Sequence, residues 1–175
     1  MDTLSSLRIR RGVPADAMAL ADFAAAAFAD AFGSQNIAGN VAAYLSEAYS
    51  PRQQVVELSD PAYRTVLVES NGTLIAFAQV RIHQGPGCVE GPQPIELYRF
   101  YVDRQWHGQG VARRLMQEVL RAAKELDGRT LWLSVWEHNP RAIRFYEKEG
   151  FRDVGTADFY LGPERQTDRI MVRQV

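Results

Sequence analysis

The residues whose types and spacing point most sharply to chemistry are Gln105-Trp106-His107-Gly108-Gln109-Gly110-Val111-Ala112, which separate a strand pattern ending at Val102 from a helix pattern rich in Arg, Leu and Met. Two glycines let backbone amides crowd together without side chains in the way. The helix behind them offers unpaired N–H groups and a partial positive end. Such a loop suits a phosphate, although a glycine-eased turn with no ligand has the same local look. Arg113 and Arg114 follow at once, placed either to pair with phosphates or to lie on the helix's solvated face.

Other phosphate motifs fit worse. Gly108-x-Gly110 lacks the third glycine of a dinucleotide fingerprint, because Arg113 stands there, and no Gly-Lys-Ser or Gly-Lys-Thr occurs. His83, His107 and His138 lack metal-ligand spacing, so no metal is expected, and His107 reads as loop packing. The single cysteine, Cys88, excludes an internal disulfide or a multi-thiolate zinc site, and no base neighbours it in sequence to activate it as a nucleophile. Glu96 is a carboxylate on a strand otherwise rich in apolar and aromatic residues: functional, an ordinary solvent-facing strand residue, or a partner for Arg99. Tyr146 reads as a helical core tyrosine with a satisfied hydroxyl, and Asn139 as a helix N-cap.

These residues need elements to hold them. Leu7 to Arg11 reads as a strand, and Pro14 to about Ala31 as a helix whose inner stripe is Leu20, Phe23, Ala24, Ala27 and Phe28, a core stripe by its spacing. Asn40 to Tyr49 and Gln53 to Leu58 suggest two short helices. Thr65 to Ser70, Asn71-Gly72 and Leu74 to Ile82 form a hairpin pattern with a type I′ turn. Gln84 to Pro94, with three Gly and three Pro, is a surface loop. Ile95 to Val102 is a strand, Gly110 to Leu126 a helix, and Thr130 to Trp136 a strand with Leu131, Leu133 and Val135 on one face. Pro140 to Glu149 is a helix stopped by Gly150, and Phe151 to Tyr160 and Arg169 to Val175 are the last strands. That order predicts an α/β (α+β) layer fold with a mixed sheet of about seven strands.

At 175 residues, with 46% apolar residues, one domain over 1–175 is expected. Twenty Lys plus Arg against 21 acidic residues leave no field to hold nucleic acid or an anionic membrane by charge. Met1 to Arg11 lacks the apolar core of a signal peptide, and no later run of about 20 apolar residues is expected to span a bilayer, which points to the cytoplasm.

The string Gln105-x-x-Gly108-x-Gly110 after Tyr101-Val102-Asp103 resembles the acetyl-coenzyme A signature Q/R-x-x-G-x-G/A of the GNAT superfamily of N-acetyltransferases. Asn139 to Phe151 resembles that family's later N-x-x-A-x-x-x-Y-x-x-x-G-F stretch, in the family's order and spacing. Trp132 to Asn139, Phe159 to Gly162 and Gln166 to Met171 resemble the PaiA subgroup, which acetylates spermidine and spermine; Phe28 to Phe32, Gln35-Asn36 and Ala43 to Leu45 are similar more loosely.

The resemblance implies a splayed mixed sheet with acetyl-coenzyme A between the Ile95 and Thr130 strands, held by Gln105, His107, Gly108, Gln109, Gly110, Val111, Ala112, Arg113 and Asn139. It implies that backbone of Phe100, Tyr101 and Val102 meets the acetyl and pantetheine groups, that Tyr146 donates a proton to the sulfur, and that Glu96 is the general base, with ordered water as the alternative. It also implies a small-molecule amine acceptor, probed first as a polyamine, for which Glu96, Glu137, Asp158, Tyr98 and Tyr160 are candidate contacts. Another amine, or a silent acetyl-coenzyme A-binding module, are the alternatives. A homodimer stays open.

Overall fold

A computed structural model of the chain describes residues 7–175; the first half of the Met1 to Arg11 segment lies outside them. In order, the elements are β1 (Leu7–Arg11), α1 (Ala17–Phe32), α2 (Ala38–Ala48), α3 (Pro51–Ser59), β2 (Tyr63–Ser70), β3 (Thr73–Ile82), β4 (Pro94–Val102), α4 (Val111–Glu125), β5 (Thr130–Trp136), α5 (Pro140–Lys148), β6 (Arg152–Leu161) and β7 (Glu164–Gln174). The strands form one sheet in the order β1-β2-β3-β4-β5-β7-β6. Every neighbouring pair is antiparallel except β4 and β5.

Local chemistry sets the boundaries. Asn71 and Gly72 both have positive φ, 50° and 78°, the type I′ turn that the right-handed twist of β2 and β3 favours. Ser50 caps α3 by accepting from the Gln53 amide at 3.2 Å, and Pro51 opens that helix without wasting an N–H.

α4 buries Val111, Leu115, Met116, Val119, Ala122 and Ala123 at helical spacing. They pack on one sheet face with Ala76, Ala78, Val80, Leu97, Leu131 and Leu133. Truncating a fully buried side chain such as Leu115 to Ala should cost about 2–5 kcal/mol. On the opposite face, Leu20, Ala24 and Phe28 of α1 meet Leu67 and Phe77. The loop before β4 covers the lower part of that face with Cys88 and Val89 against Trp132, Ile170 and Val172. Gly85 is required there: its φ is 77°, and a Cβ would sit 2.8 Å from the Trp132 ring.

Two expectations need correction. β7 begins at Glu164, not Arg169, because the hairpin ladder to β6 starts with Leu161 opposite Glu164 and carries the strand through a polar run with no apolar alternation to reveal it. The segment 14–35 is apolar and long enough to cross a membrane by length and composition, contrary to the sequence reading, while its Leu20, Ala24 and Phe28 are spent on the sheet.

Candidate active site

β4 and β5 stay paired only from Pro94–Thr130 to Glu96–Trp132 and then diverge. A bulge in β4 helps to part them. Gln79 faces Arg99 while the next residue, Val80, faces Leu97, which leaves Tyr98 as the extra residue. The extra residue reverses the alternation. Leu97 joins the α4 side, whereas Arg99 lies on the α1 side with Gln79. The resulting cleft, of about 1250 Å³, runs from the loop before α4, between Leu97 and Val135, to the α1 side. Phe23, Ala27 and Phe28 line it there, so the α1 stripe read as core also walls the cleft.

At the loop end, Gly108 and Gly110 have φ of 77° and 84°, left-handed values that other residues adopt only with strain. Nothing lies within 4 Å of a Cβ built on Gly108, so conformation rather than crowding demands glycine there. Gly110 is the N-cap of α4, whose first-turn amides have no partner within the helix. Arg104 and Arg113 flank this loop in sequence, and Arg141, Arg144 and Lys148 of α5 also line the cleft. Donors and cations together suit a polyphosphorylated ligand, and the apolar passage past Leu97, Phe100 and Val135 suits a flexible arm.

The sequence candidates are not all equivalent. Phe100, Tyr101, Val102, His107, Gly108, Gly110, Ala112 and Arg113 line the cleft. Val111 does not: its side chain is fully buried in the α4 core, leaving only its backbone for a ligand. Gln105 and Gln109 are exposed and bonded to each other, Gln109 Nε2 donating to the Gln105 carbonyl at 2.6 Å. His107 Nε2 lies 2.8 Å from the Val102 carbonyl, tying the loop back to β4. Arg141 and Arg144 were missed because a cation on a short helix has the same sequence signal wherever that helix points.

Asn139 accepts from the Ala142 amide at 3.2 Å, so it does cap α5, and it also lines the cleft. Tyr146 is 8% exposed, packed edge-on to Phe100 and Phe151 with ring centroids 6.2 and 5.6 Å away. Its hydroxyl makes no hydrogen bond among the described residues, although buried tyrosine hydroxyls normally find one. Burial holds that phenol well above its ordinary pKa, so it remains protonated.

Glu96 is buried on the α1 side and lines the cleft, but its partner is not Arg99. Arg81 Nε donates to its Oε2 at 2.5 Å, and His83 Nδ1 lies 3.5 Å from the same oxygen. Arg99 instead forms a buried ion pair with Glu57 and donates to Gln79 Oε1 at 2.6 Å, fastening α3 beneath the bulge.

A second buried carboxylate on the cleft went unnoticed in the sequence. Asp168 of β7 is 8% exposed, accepts from Ser134 Oγ and lines the cleft beside Trp136, its partner in the β5–β7 ladder. Burial pushes its carboxyl above the ordinary range; the Ser134 hydroxyl opposes that shift and Glu137 adds to it. Only topology reveals it, since Asp168 lies just before Arg169, where the last strand is expected to begin from the sequence. Of the other acceptor candidates, Tyr98 lines the cleft, while Tyr160 is 58% exposed and Asp158 pairs with Arg165 at 3.0 Å outside it. Glu137 stands at the mouth of β5 without lining the cleft.

Comparison with known proteins adds an independent line. The family model described as "Acetyltransferase (GNAT) family" matches residues 26–151. An uncharacterized N-acetyltransferase of Mycobacterium tuberculosis is 30% identical over 137 residues, 78% of this chain and 83% of that protein. A spermine/spermidine N(1)-acetyltransferase of Bacillus subtilis is 25% identical over 114 residues, 65% of this chain and 71% of that protein. In fold, the chain matches the PaiA N-acetyltransferase of Thermoplasma acidophilum, solved with coenzyme A, at a TM-score of 0.79, 20% identity and coverage of 97% of this chain and 99% of that one.

Proposed function

Because this chain belongs to the acetyltransferase (GNAT) family, we propose that it transfers an acetyl group from acetyl-coenzyme A directly to a primary amine, with a polyamine such as spermidine or spermine as the acceptor. The observation that carries this reading is the Tyr146 hydroxyl, protonated and without a hydrogen-bond partner among the described residues, on the cleft that also holds the Gly108–Gly110 loop. The similarity to the Bacillus subtilis spermine/spermidine enzyme supports the acceptor class.

Acetyl-coenzyme A supplies a thioester, whose carbon accepts an amine and whose sulfur leaves as thiolate. The amides of the Gly108 to Arg113 segment bind the pyrophosphate, and Arg113, Arg141 and Arg144 hold the remaining phosphate charge. Backbone of Phe100 and Val102, exposed where β4 leaves β5, orients the arm and the acyl oxygen. As the amine nitrogen bonds to the acyl carbon and the carbon–sulfur bond breaks, Tyr146 gives its proton to the sulfur. Before attack, Glu96 takes a proton from the ammonium substrate, directly through Oε1 or through a water, since Arg81 occupies Oε2, which frees the nitrogen lone pair; the second proton that the nitrogen loses on becoming an amide replaces, by way of solvent, the one Tyr146 gave up. Cys88 takes no part: it packs in the loop cluster on Trp132 rather than on the cleft.

The test is an acetyl-coenzyme A turnover screen over spermidine, spermine, amino sugars, amino acids and peptides. Amine-dependent thiol release is expected, fastest with a polyamine. Release with an amino sugar or amino acid alone would overturn the polyamine assignment, and release with none would overturn acetyl transfer to these amines.

A further inference from the structure

Asp168 is a buried carboxylate with no ion-pair partner among the described residues. Its Oδ2 accepts from Ser134 Oγ, and its Oδ1 has no hydrogen-bond or ion-pair partner among the described residues. The other buried carboxylates are matched, Glu57 by Arg99 and Glu96 by Arg81. A charge taken out of water without a counter-ion is costly, so buried charges are as a rule paired. Asp168 is therefore an anionic seat open to the cleft.

Its surroundings fit one kind of occupant. Ladder register puts Glu96, Trp132, Ser134, Trp136 and Asp168 on one sheet face, the α1 side, across the gap left by the splay. The cleft that Asp168 lines has aromatic walls: Phe32 meets Trp136, the ladder partner of Asp168, with ring centroids 5.9 Å apart, and Tyr44 meets Phe28 and Phe159 at 4.8 and 5.8 Å. Asn36, bonded to Gln166, ties the end of α1 to β7 and closes that side. A carboxylate in an aromatic-walled cleft favours an organic ammonium, bound by a charge-assisted hydrogen bond and by cation–π attraction. A phosphate or carboxylate would be repelled.

We propose that Asp168, oriented by Ser134, is the seat for the cationic nitrogen of the acceptor and selects organic ammonium compounds from uncharged or anionic ones. This rests on the amine-acetyltransferase reading and assigns Asp168 to binding, apart from the proton transfers at Tyr146 and Glu96. Burial raises the pKa of the Asp168 carboxyl in the empty site, and an arriving ammonium offsets that shift by pairing with the charged form.

The experiment is calorimetry on coenzyme A-loaded protein, with spermidine and n-butylamine as probes and 1,4-butanediol as an uncharged control. Wild type should bind the amines and not the diol. Asp168→Asn, which keeps the shape and an acceptor for Ser134, should weaken amine binding about tenfold or more, as loss of a charged hydrogen-bond partner does, with coenzyme A affinity unchanged. Ser134→Ala should show a smaller loss in the same direction. Equal amine affinity in wild type and Asp168→Asn would overturn the proposal, as would coenzyme A-loaded wild type that binds neither amine. Failure of wild type to bind coenzyme A at all would instead strike the acetyltransferase reading.

Discussion

Arg81 Nε reaches Glu96 Oε2 at 2.5 Å from the residue directly across the β3–β4 ladder, and Tyr98 lies over the same guanidinium at 3.6 Å. The carboxylate assigned as base thus arrives at the cleft with one oxygen engaged. If Glu96 nonetheless draws the ammonium proton, Glu96→Gln should depress turnover most near neutral pH and recover in part at alkaline pH, where more amine is already free. A pH profile that overlays wild type would remove Glu96 as base and leave ordered water in that role.

Gly110 tests the phosphate loop. Its φ of 84° at the α4 N-cap is hostile to a β-branched residue. Gly110→Val should weaken acetyl-coenzyme A binding tenfold or more, about 1.4 kcal/mol. Unchanged affinity in a folded protein, measured by calorimetry, would contradict the loop's role.

The sequence made the helices and the hairpin readable because apolar spacing and turn residues report them locally: the Leu20–Phe28 stripe of α1 and Asn71-Gly72 needed no tertiary information. Sites set by long-range pairing were harder. Asp168 reaches the cleft only because β7 runs beside both β5 and β6, and its polar run looks like a loop. Glu96 was legible as a functional candidate, but its partner was not, since Arg81 is found by ladder register and Arg99 only by proximity in sequence. Val111 shows the reverse limit: a motif marks a segment without saying which member turns its side chain inward.

Asp168 also makes a stability prediction with a definite sign. Its folded-state pKa is raised, so its contribution is most favourable below the ordinary carboxylate value and is lost as pH rises through the folded value. Near neutral pH the ionised side chain is a cost that Asn does not carry. Asp168→Asn should therefore raise Tm near neutral pH, with the gain shrinking as pH falls toward about 4. A lower Tm near neutral pH would show that the carboxylate has a stabilising partner.

Cys88 packs against Gly155, where a built Cβ would lie 3.1 Å from Sγ, and belongs to the cluster on Trp132. Cys88→Ala should lose about 1 kcal/mol of stability through packing and keep its turnover. Lost turnover together with an acetyl adduct on wild-type Cys88 would replace direct transfer by an acyl-enzyme route.

The most direct measurement of the central claim is the split between turnover and acetyl-coenzyme A affinity in Tyr146→Phe. The substitution keeps the ring contacts with Phe100 and Phe151 and removes only the unpartnered hydroxyl. Turnover with the best amine should fall about 100-fold, within the range typical of a general acid, while affinity stays within about twofold of wild type, below 0.5 kcal/mol. Full turnover in Tyr146→Phe would contradict the account, because the departing thiolate would then have taken its proton from elsewhere.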